Sequence, residues 1–346
     1  MDKNESIWIE KIEETLNAIL PSSPNSEWVE RVFPGLNISP ELCEALIAPG
    51  RDLLLRGGKR WRPLLMNLVC RALGGGDAAL PLSPLVEIAH NASLIHDDIE
   101  DNSPERRGQA SIHIRYGVDT AINSGSFLYF LPLVCINGLE TSLQNEVFRL
   151  WGEYLRRLHL GQALDIAWHK DETAMPSFEE YTVMCGLKTG SLSRLAVMLG
   201  AFAAHLPMSR EIAGVFGKAA EELGVGFQIM DDVKNLDGDI AGKQRGDDFV
   251  EGKKSLPIIL YIRQCGGDMG AVNRCFSAAR RDGVGAPEVG EFIEELRRSG
   301  AFYQAQAMGR QLIQSARSTF AGEAVCGFRL SSQEQEALLG LIDSFA

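Results

Sequence analysis

"SPLVEIAHNASLIHDDIEDNSPERRG" runs from Ser83 to Gly108. Its apolar residues recur at three and four, so at about 100° per residue Leu85, Ile88, Ala92, Ile95 and Ile99 share one helix face. His90, Asp97 and Asp101 fall on the opposite face, with Asp98 a step round. Ser83-Pro84 supplies a cap and a first-turn proline, and Asn102-Ser103-Pro104 ends the helix. The helix end carries Asp97, Asp98, Glu100 and Asp101; Glu105 and the pair Arg106-Arg107 follow. Carboxylates four apart are neighbours and repel, and acids at a helix C-terminus oppose the macrodipole. Two readings remain open: a solvated helix end, or a divalent cation bridging the acids to an anion.

The same helical period holds elsewhere. Strict alternation is rare, aromatics are 8% of the chain, and no repeat or low-complexity tract is visible, so the fold class expected is all-α. Hydrophobic residues reach 45%, enough for a buried core. The net charge of -12 argues against nucleic-acid binding. No apolar stretch near ~20 residues stands out, so no membrane span is expected, and the polar start "MDKNESIWIEKIEE" does not resemble a signal peptide. Seven scattered cysteines without a C-x-x-C pair suit a reduced, cytoplasmic protein. A first short helix and an irregular connection over Pro21 to Pro40 are expected. Gly74-Gly75-Gly76, Met175-Pro176-Ser177 and Gly266-Gly267 punctuate later helices. None is long enough for a linker, so residues 1–346 read as a single domain.

A second acidic segment, "FQIMDDVKNLDGD", spans Phe227 to Asp239. Gln228, Asp231, Asp232 and Asn235 share a face, Ile229, Met230 and Val233 point the other way, and Gly238 stops the helix. Two such stripes facing each other across a bundle make a metal-filled cleft. Asp ligands without Glu-x-x-His favour Mg²⁺ with phosphate over di-iron. Cations supply the other half. In "RGGKRWRP", Lys59 and Arg62 are three apart and are expected on one side of a helix after Gly57-Gly58. Lys59, Arg62 and Arg107 read as phosphate ligands; Arg60, Arg245 and Lys254 read as solvated surface charges. Lys188 in "LKTG", with Lys243 and Lys253 in "GKQRGDDFVEGKKSLP", adds further positive charge.

Six blocks occur in one order over roughly residues 45 to 260: "GGKRWRP", "HNASLIHDDIEDNSPERRG", "LHLGQALDIAW", "LKTGSL", "FQIMDDVKNLDGD" and "EGKKSLP". Together they resemble the trans-isoprenyl diphosphate synthase family. The resemblance implies an isoprenoid synthase helical bundle around a deep central cavity, usually a homodimer. It also implies head-to-tail (1'-4) condensation of isopentenyl diphosphate with an allylic diphosphate (dimethylallyl, geranyl or farnesyl). Asp97, Asp101 and Asp231 would ligate several Mg²⁺ ions, with Asp98, Asp232 and Asn235 close by or acting through water. Arg106, Lys188, Lys243 and Lys253 would bind the allylic diphosphate. Lys59, Arg62, His90 and Arg107 would hold isopentenyl diphosphate. Thr189 and Gln228 would line the path of the allylic cation. On this reading Arg106 and Arg107 serve one substrate each and are not there to neutralise the acids.

The resemblance also bears on product length. Ala92, five residues before Asp97, and Ser93 are small, where relatives that stop at fifteen carbons often carry an aromatic. "AINSGSFLYFLP" resembles the segment that closes the pocket in eukaryote-type geranylgeranyl diphosphate synthases, which here makes Tyr129, Phe130 and His159 the stopper and twenty carbons the expected length. Asn235 stands where Asp is usual, as in that subgroup. The alternatives are a farnesyl or longer-chain synthase, a terpene cyclase, which needs no isopentenyl site, or a non-catalytic subunit of a heteromeric synthase.

Overall fold

The computed structural model describes residues 3–238 and 244–346, with side chains from Ser6 onward. Helices α1 (Lys3–Ile19), α2 (Ser26–Val32), α3 (Glu44–Leu55), α4 (Trp61–Ala72) and α5 (Ser83–Glu100) come first. A hairpin of β1 (Glu105–Arg106) and β2 (Gln109–Ala110) leads to α6 (Ile112–Tyr116), α7 (Val118–Leu128), α8 (Thr141–Lys170) and α9 (Phe178–Cys185). Then follow α10 (Ser191–Ala203), α11 (Ser209–Asp237), α12 (Asp247–Glu251), α13 (Leu256–Gln264), α14 (Gly270–Asp282), α15 (Pro287–Arg298) and α16 (Ala301–Phe320). A second hairpin, β3 (Ala324–Val325) and β4 (Phe328–Arg329), precedes α17 (Ser332–Asp343). The chain is all-α, as its periodicity implies.

By its contacts the chain groups into two compact units. The first comprises Met1–Gly152, Leu195–Gly214 and Glu323–Gln335; the second comprises Glu153–Arg194, Val215–Gly322 and Glu336–Ala346. Each gathers three separate segments, so no linker composition could have marked the division.

In the first unit, α5 is the central element. A 3-10 turn at Leu80–Leu82 leads into it. Ser83 therefore lies inside the helix and is not its cap; its hydroxyl accepts a hydrogen bond from Asn67 Nδ2 at 3.1 Å. Leu85, Ile88, Ala92 and Ile95 are buried as expected, but so are Glu87 and Asn91 on other faces. A helix buried all round is a core helix, and its polar side chains need partners. Before it, the expected irregular connection contains α2, capped by Asn25, whose Oδ1 accepts from Trp28 N at 2.8 Å. Val118–Ile136 is long and apolar enough, by composition, to cross a membrane, a stretch the sequence reading passed over. Here it is α7 followed by a 3-10 turn at Leu131–Ile136, packed against α3 and α5.

The β1–β2 turn places Arg107 (φ 55°) and Gly108 (φ 72°) both in the left-handed region. Two-residue hairpin turns of this hand match strand twist, but a non-glycine residue there is uncommon.

In the second unit, a capping box starts α9: Ser177 Oγ accepts from Glu180 N at 3.1 Å, and Ser177 N donates to Glu180 Oε2 at 2.7 Å. Between α9 and α10 the chain makes a π-turn over Gly186–Gly190. Glycines press on it from two sides. A Cβ on Gly161 of α8 would lie 2.3 Å from Lys188 N, and one on Gly224 of α11 would lie 2.6 Å from Gly190 Cα. Side chains at these positions would force the helices apart. Gly238 (φ 87°) ends α11, its N–H donating to Lys234 O at 3.0 Å.

Candidate functional site

The first unit carries one set of expected site residues. Asp97 and Asp101 are half-buried at the end of α5, while Glu100 and Glu105 are exposed. Asp98 is completely buried (0% exposed). Arg106, brought back by the hairpin, donates from Nε and Nη2 to Asp98 Oδ1 at 2.7 and 2.5 Å, and its Nη2 is 3.6 Å from Asp97. Arg106 does therefore neutralise the acids, contrary to the expectation that it serves substrate alone. Burial pushes the Asp98 carboxyl up, with the Arg106 charge working against it.

A cationic group gathers beside this stripe. Arg62 is buried and stacks over the Trp61 ring at 4.3 Å. Arg107 donates from Nη1 to Leu53 O at 2.8 Å and to Asn91 Oδ1 at 3.2 Å. Burial, with the charges of Arg60, Arg106 and Arg56 adding to it, brings its guanidinium down to about 10. His90 is held well below its ordinary value by burial and then by Arg62, Arg107, Arg106 and Arg60. Both effects favour the neutral imidazole. Lys59 is exposed and precedes α4, which starts at Trp61, so it does not share a helix side with Arg62 as expected. Arg60 is no solvated surface charge. It sits at the start of α4 in the left-handed region (φ 48°), 2% exposed, and pairs with Glu13 and Glu87 at 2.7 and 2.8 Å.

The second unit carries the rest. Thr189 Oγ1 donates to Gln228 Oε1 at 2.8 Å, and Gln228 Nε2 donates to Asp232 Oδ1 at 2.9 Å. Tyr181 Oη donates to Asp232 Oδ2 at 2.6 Å. Asp232 is thus buried among neutral donors. Burial, with the nearby Asp248 charge, pushes it up to about 7. Asp231, one residue earlier, is half-buried. Lys188 Nζ donates to Asp165 Oδ2 at 2.5 Å, and His169 Nε2 lies 2.7 Å from Asp165 Oδ1. Burial alone would raise Asp165, but Lys188 and His169 outweigh it and hold the carboxylate far below its usual range. Asp165 was inside the quoted block "LHLGQALDIAW" without a role; its spacing of four from His169 was the available signal. Lys253 pairs with Glu251 and lies 3.7 Å from Asp248. Lys254 is buried over the Phe276 ring at 4.7 Å and is not a solvated charge. Arg245 is exposed, as expected, with Nε donating to Leu236 O at 2.7 Å. Lys243 lies outside the described residues.

The expected length-setting residues differ in burial. Ala92 is buried and Ser93 half-buried. Tyr129 is buried, but Phe130 is 68% exposed and His159 is also exposed, so neither of these two rings lines the interior of its own unit. The histidine against Tyr129 is His96, stacked at 5.6 Å and 19° and held by Ala92 O at 2.9 Å.

Mg²⁺ can be tested against these donors. Asp98 Oδ2 and both side-chain polar atoms of Asn235 are buried and meet no hydrogen-bond partner, a state that buried polar atoms rarely keep without an ion or water. Among the described residues, no three His, Cys, Asp or Glu side chains form a closed metal cage. Half-buried carboxylates without a cage suit a hard cation that keeps waters and takes its remaining oxygens from a phosphate ligand. The residues fit.

A family model described as polyprenyl synthetase matches residues 43–283. A geranylgeranyl pyrophosphate synthase of Apiospora sacchari (dpasD) is 40% identical over 226 residues, 64% of this chain and 65% of that protein. The matched part thus spans slightly under two thirds of that relative. A geranylfarnesyl diphosphate synthase of Aeropyrum pernix is 35% identical over 241 residues, 67% of this chain and 74% of that protein. The crystal structure of a geranylgeranyl pyrophosphate synthase superimposes with a TM-score of 0.82 at 22% identity, covering 100% of this chain and 98% of that one. That likeness establishes the isoprenoid synthase fold.

Proposed function

This chain belongs to the polyprenyl synthetase family, and on that premise we propose that it is a prenyltransferase that joins isopentenyl diphosphate head-to-tail to an allylic diphosphate and releases geranylgeranyl diphosphate. The observation that carries the reading is the cationic group of the first unit. Arg62, Arg107, Arg106 and Arg60 all act on a neutral His90, on the helix that also bears Asp97 and Asp101. A cyclase, which ionises a single diphosphate, has no use for this second anion site. A non-catalytic subunit has no use for two nearly complete acidic clusters.

Lys59, Arg62, Arg107 and neutral His90 hold isopentenyl diphosphate. His90 adds a hydrogen bond without adding charge. Arg106, Lys188, Lys243 and Lys253 bind the allylic diphosphate, and their charges favour its departure as the C–O bond breaks. Mg²⁺, held by Asp97, Asp101 and Asp231 with Asp98, Asp232 and Asn235 behind them, would neutralise the charge left on that diphosphate. Thr189 and Gln228 offer oxygen dipoles to the allylic cation and no nucleophilic charge. The isopentenyl double bond then attacks, and the departed diphosphate takes the proton that is lost.

Small, buried Ala92 leaves room beyond fifteen carbons, and Tyr129 backed by His96 supplies the stop. Exposed Ile114, Val118, Ile122 and Phe130 of the first unit support a homodimer. The cysteine pattern supports a cytoplasmic location. The test incubates purified protein with Mg²⁺, isopentenyl diphosphate and each allylic primer, with products identified by mass. A twenty-carbon diphosphate is expected. A hydrocarbon formed from geranylgeranyl diphosphate alone would mean a cyclase, and no product a non-catalytic subunit.

A further inference from the structure

Arg60 and Arg107 are linked through one buried carboxylate and the amide beside it. Glu87 is buried in the middle of α5, 3% exposed. Its Oε1 accepts from Arg60 Nη1 at 2.8 Å and from Asn91 Nδ2 at 3.2 Å. Asn91, one turn on and equally buried, anchors its amide on Glu87 O at 2.7 Å. That fixes which way the amide points and turns Oδ1 toward Arg107 Nη1. Arg107 thus has two acceptors on the same nitrogen, Asn91 Oδ1 and Leu53 O, and both belong to buried, rigid helix positions. Arg60 is fastened as firmly, by Glu13 Oε1 at 2.7 Å, Leu54 O at 2.7 Å and Glu87. A Cβ on Gly58 would lie 3.0 Å from both Arg107 Nη2 and Arg60 Nη1, so the two guanidiniums also meet at the glycine loop.

We propose that Asn91 and Glu87 are positioning residues for the isopentenyl diphosphate site: Asn91 sets the direction of the Arg107 guanidinium, and Glu87 locks Asn91 while tying Arg60 and the Lys59 loop to the same point. The inference rests on the proposed role of Arg107. The physical need is clear from the turn. Arg107 sits in a left-handed, strained position at the tip of a two-residue hairpin, so its backbone alone does not hold a long side chain still. A planar guanidinium binds phosphate well only when its fork is aimed. Asn91 makes that aim a property of a core helix. Glu87 also balances part of the charge that four neighbouring arginines concentrate there.

The test measures steady-state kinetics for both substrates in Asn91→Ala and Glu87→Gln. Asn91→Ala is expected to raise KM for isopentenyl diphosphate about tenfold, with KM for the allylic substrate within about twofold of the parent. Glu87→Gln keeps the acceptor and loses the charge, so a smaller rise in the same single KM is expected. Thermal unfolding of both variants is recorded alongside. If the two KM values rise together, or if Asn91→Ala leaves KM for isopentenyl diphosphate unchanged, the positioning role is overturned. A parent enzyme that condenses nothing would instead overturn the proposed function.

Discussion

The two acidic clusters bury one aspartate each, and they do it in opposite ways. Asp98 is paired with a guanidinium that the β1–β2 hairpin returns to it. Asp232 has only neutral donors, Tyr181 and Gln228, and a second carboxylate nearby. The outward members, Asp97, Asp101 and Asp231, stay half-exposed in both. In each Asp-Asp pair, then, one residue stays half-exposed and its neighbour is buried at the helix end. The first anchor is compensated by charge. The second is compensated by dipoles, which leaves it close to neutral.

The sharpest way to break this division of labour is to remove an outward carboxylate. Asp97→Ala should lower kcat about a thousandfold, while changing the stability of the metal-free protein by less than about 1 kcal/mol. Turnover and urea denaturation measure the two. Arg106→Ala strikes the anchor instead: it strands Asp98 as a buried, unpaired charge and should cost about 3–5 kcal/mol of unfolding free energy. Asp98→Asn in the same background should recover part of that loss. The dipole-held anchor shows itself through pH. Asp232 stands at about 7 in the folded protein, well above the usual carboxylate range, so the unfolded chain gives up this proton first. Stability should therefore fall as pH rises from about 4 to about 7, by at most about 1.4 kcal/mol per pH unit. Asp232→Asn should flatten that slope in metal-free denaturation curves. The smallest effect belongs to Tyr181→Phe, which removes one hydrogen bond to Asp232 and should cost about 1–2 kcal/mol.

The parts of this scheme that were legible in the sequence are local ones. The Asp97/Asp101 stripe follows from helical period, and the end of α11 from Gly238. Partners far along the chain were not legible. Arg60 looked like a surface charge because Glu13 and Glu87, which bury it, lie 47 and 27 residues away. Arg106 meets Asp98 only because a hairpin turn lies beyond it. His96, stacked on Tyr129, was not legible either, since nothing in the Tyr129 segment points back to it.

The π-turn at Gly186–Gly190 has a consequence for lineages rather than for one molecule. A π-turn amounts to one residue more than an α-helix needs. Deleting Leu187 would remove that extra residue and let α9 and α10 run on as one regular helix. α10 beyond the turn would keep its register, but the residues of the turn itself would move, changing the placement of Lys188 against Asp165 and of Thr189 against Gln228. A single-residue gap here, small by most measures of sequence similarity, would mark a descendant that kept the fold and lost this arrangement of Lys188 and Thr189.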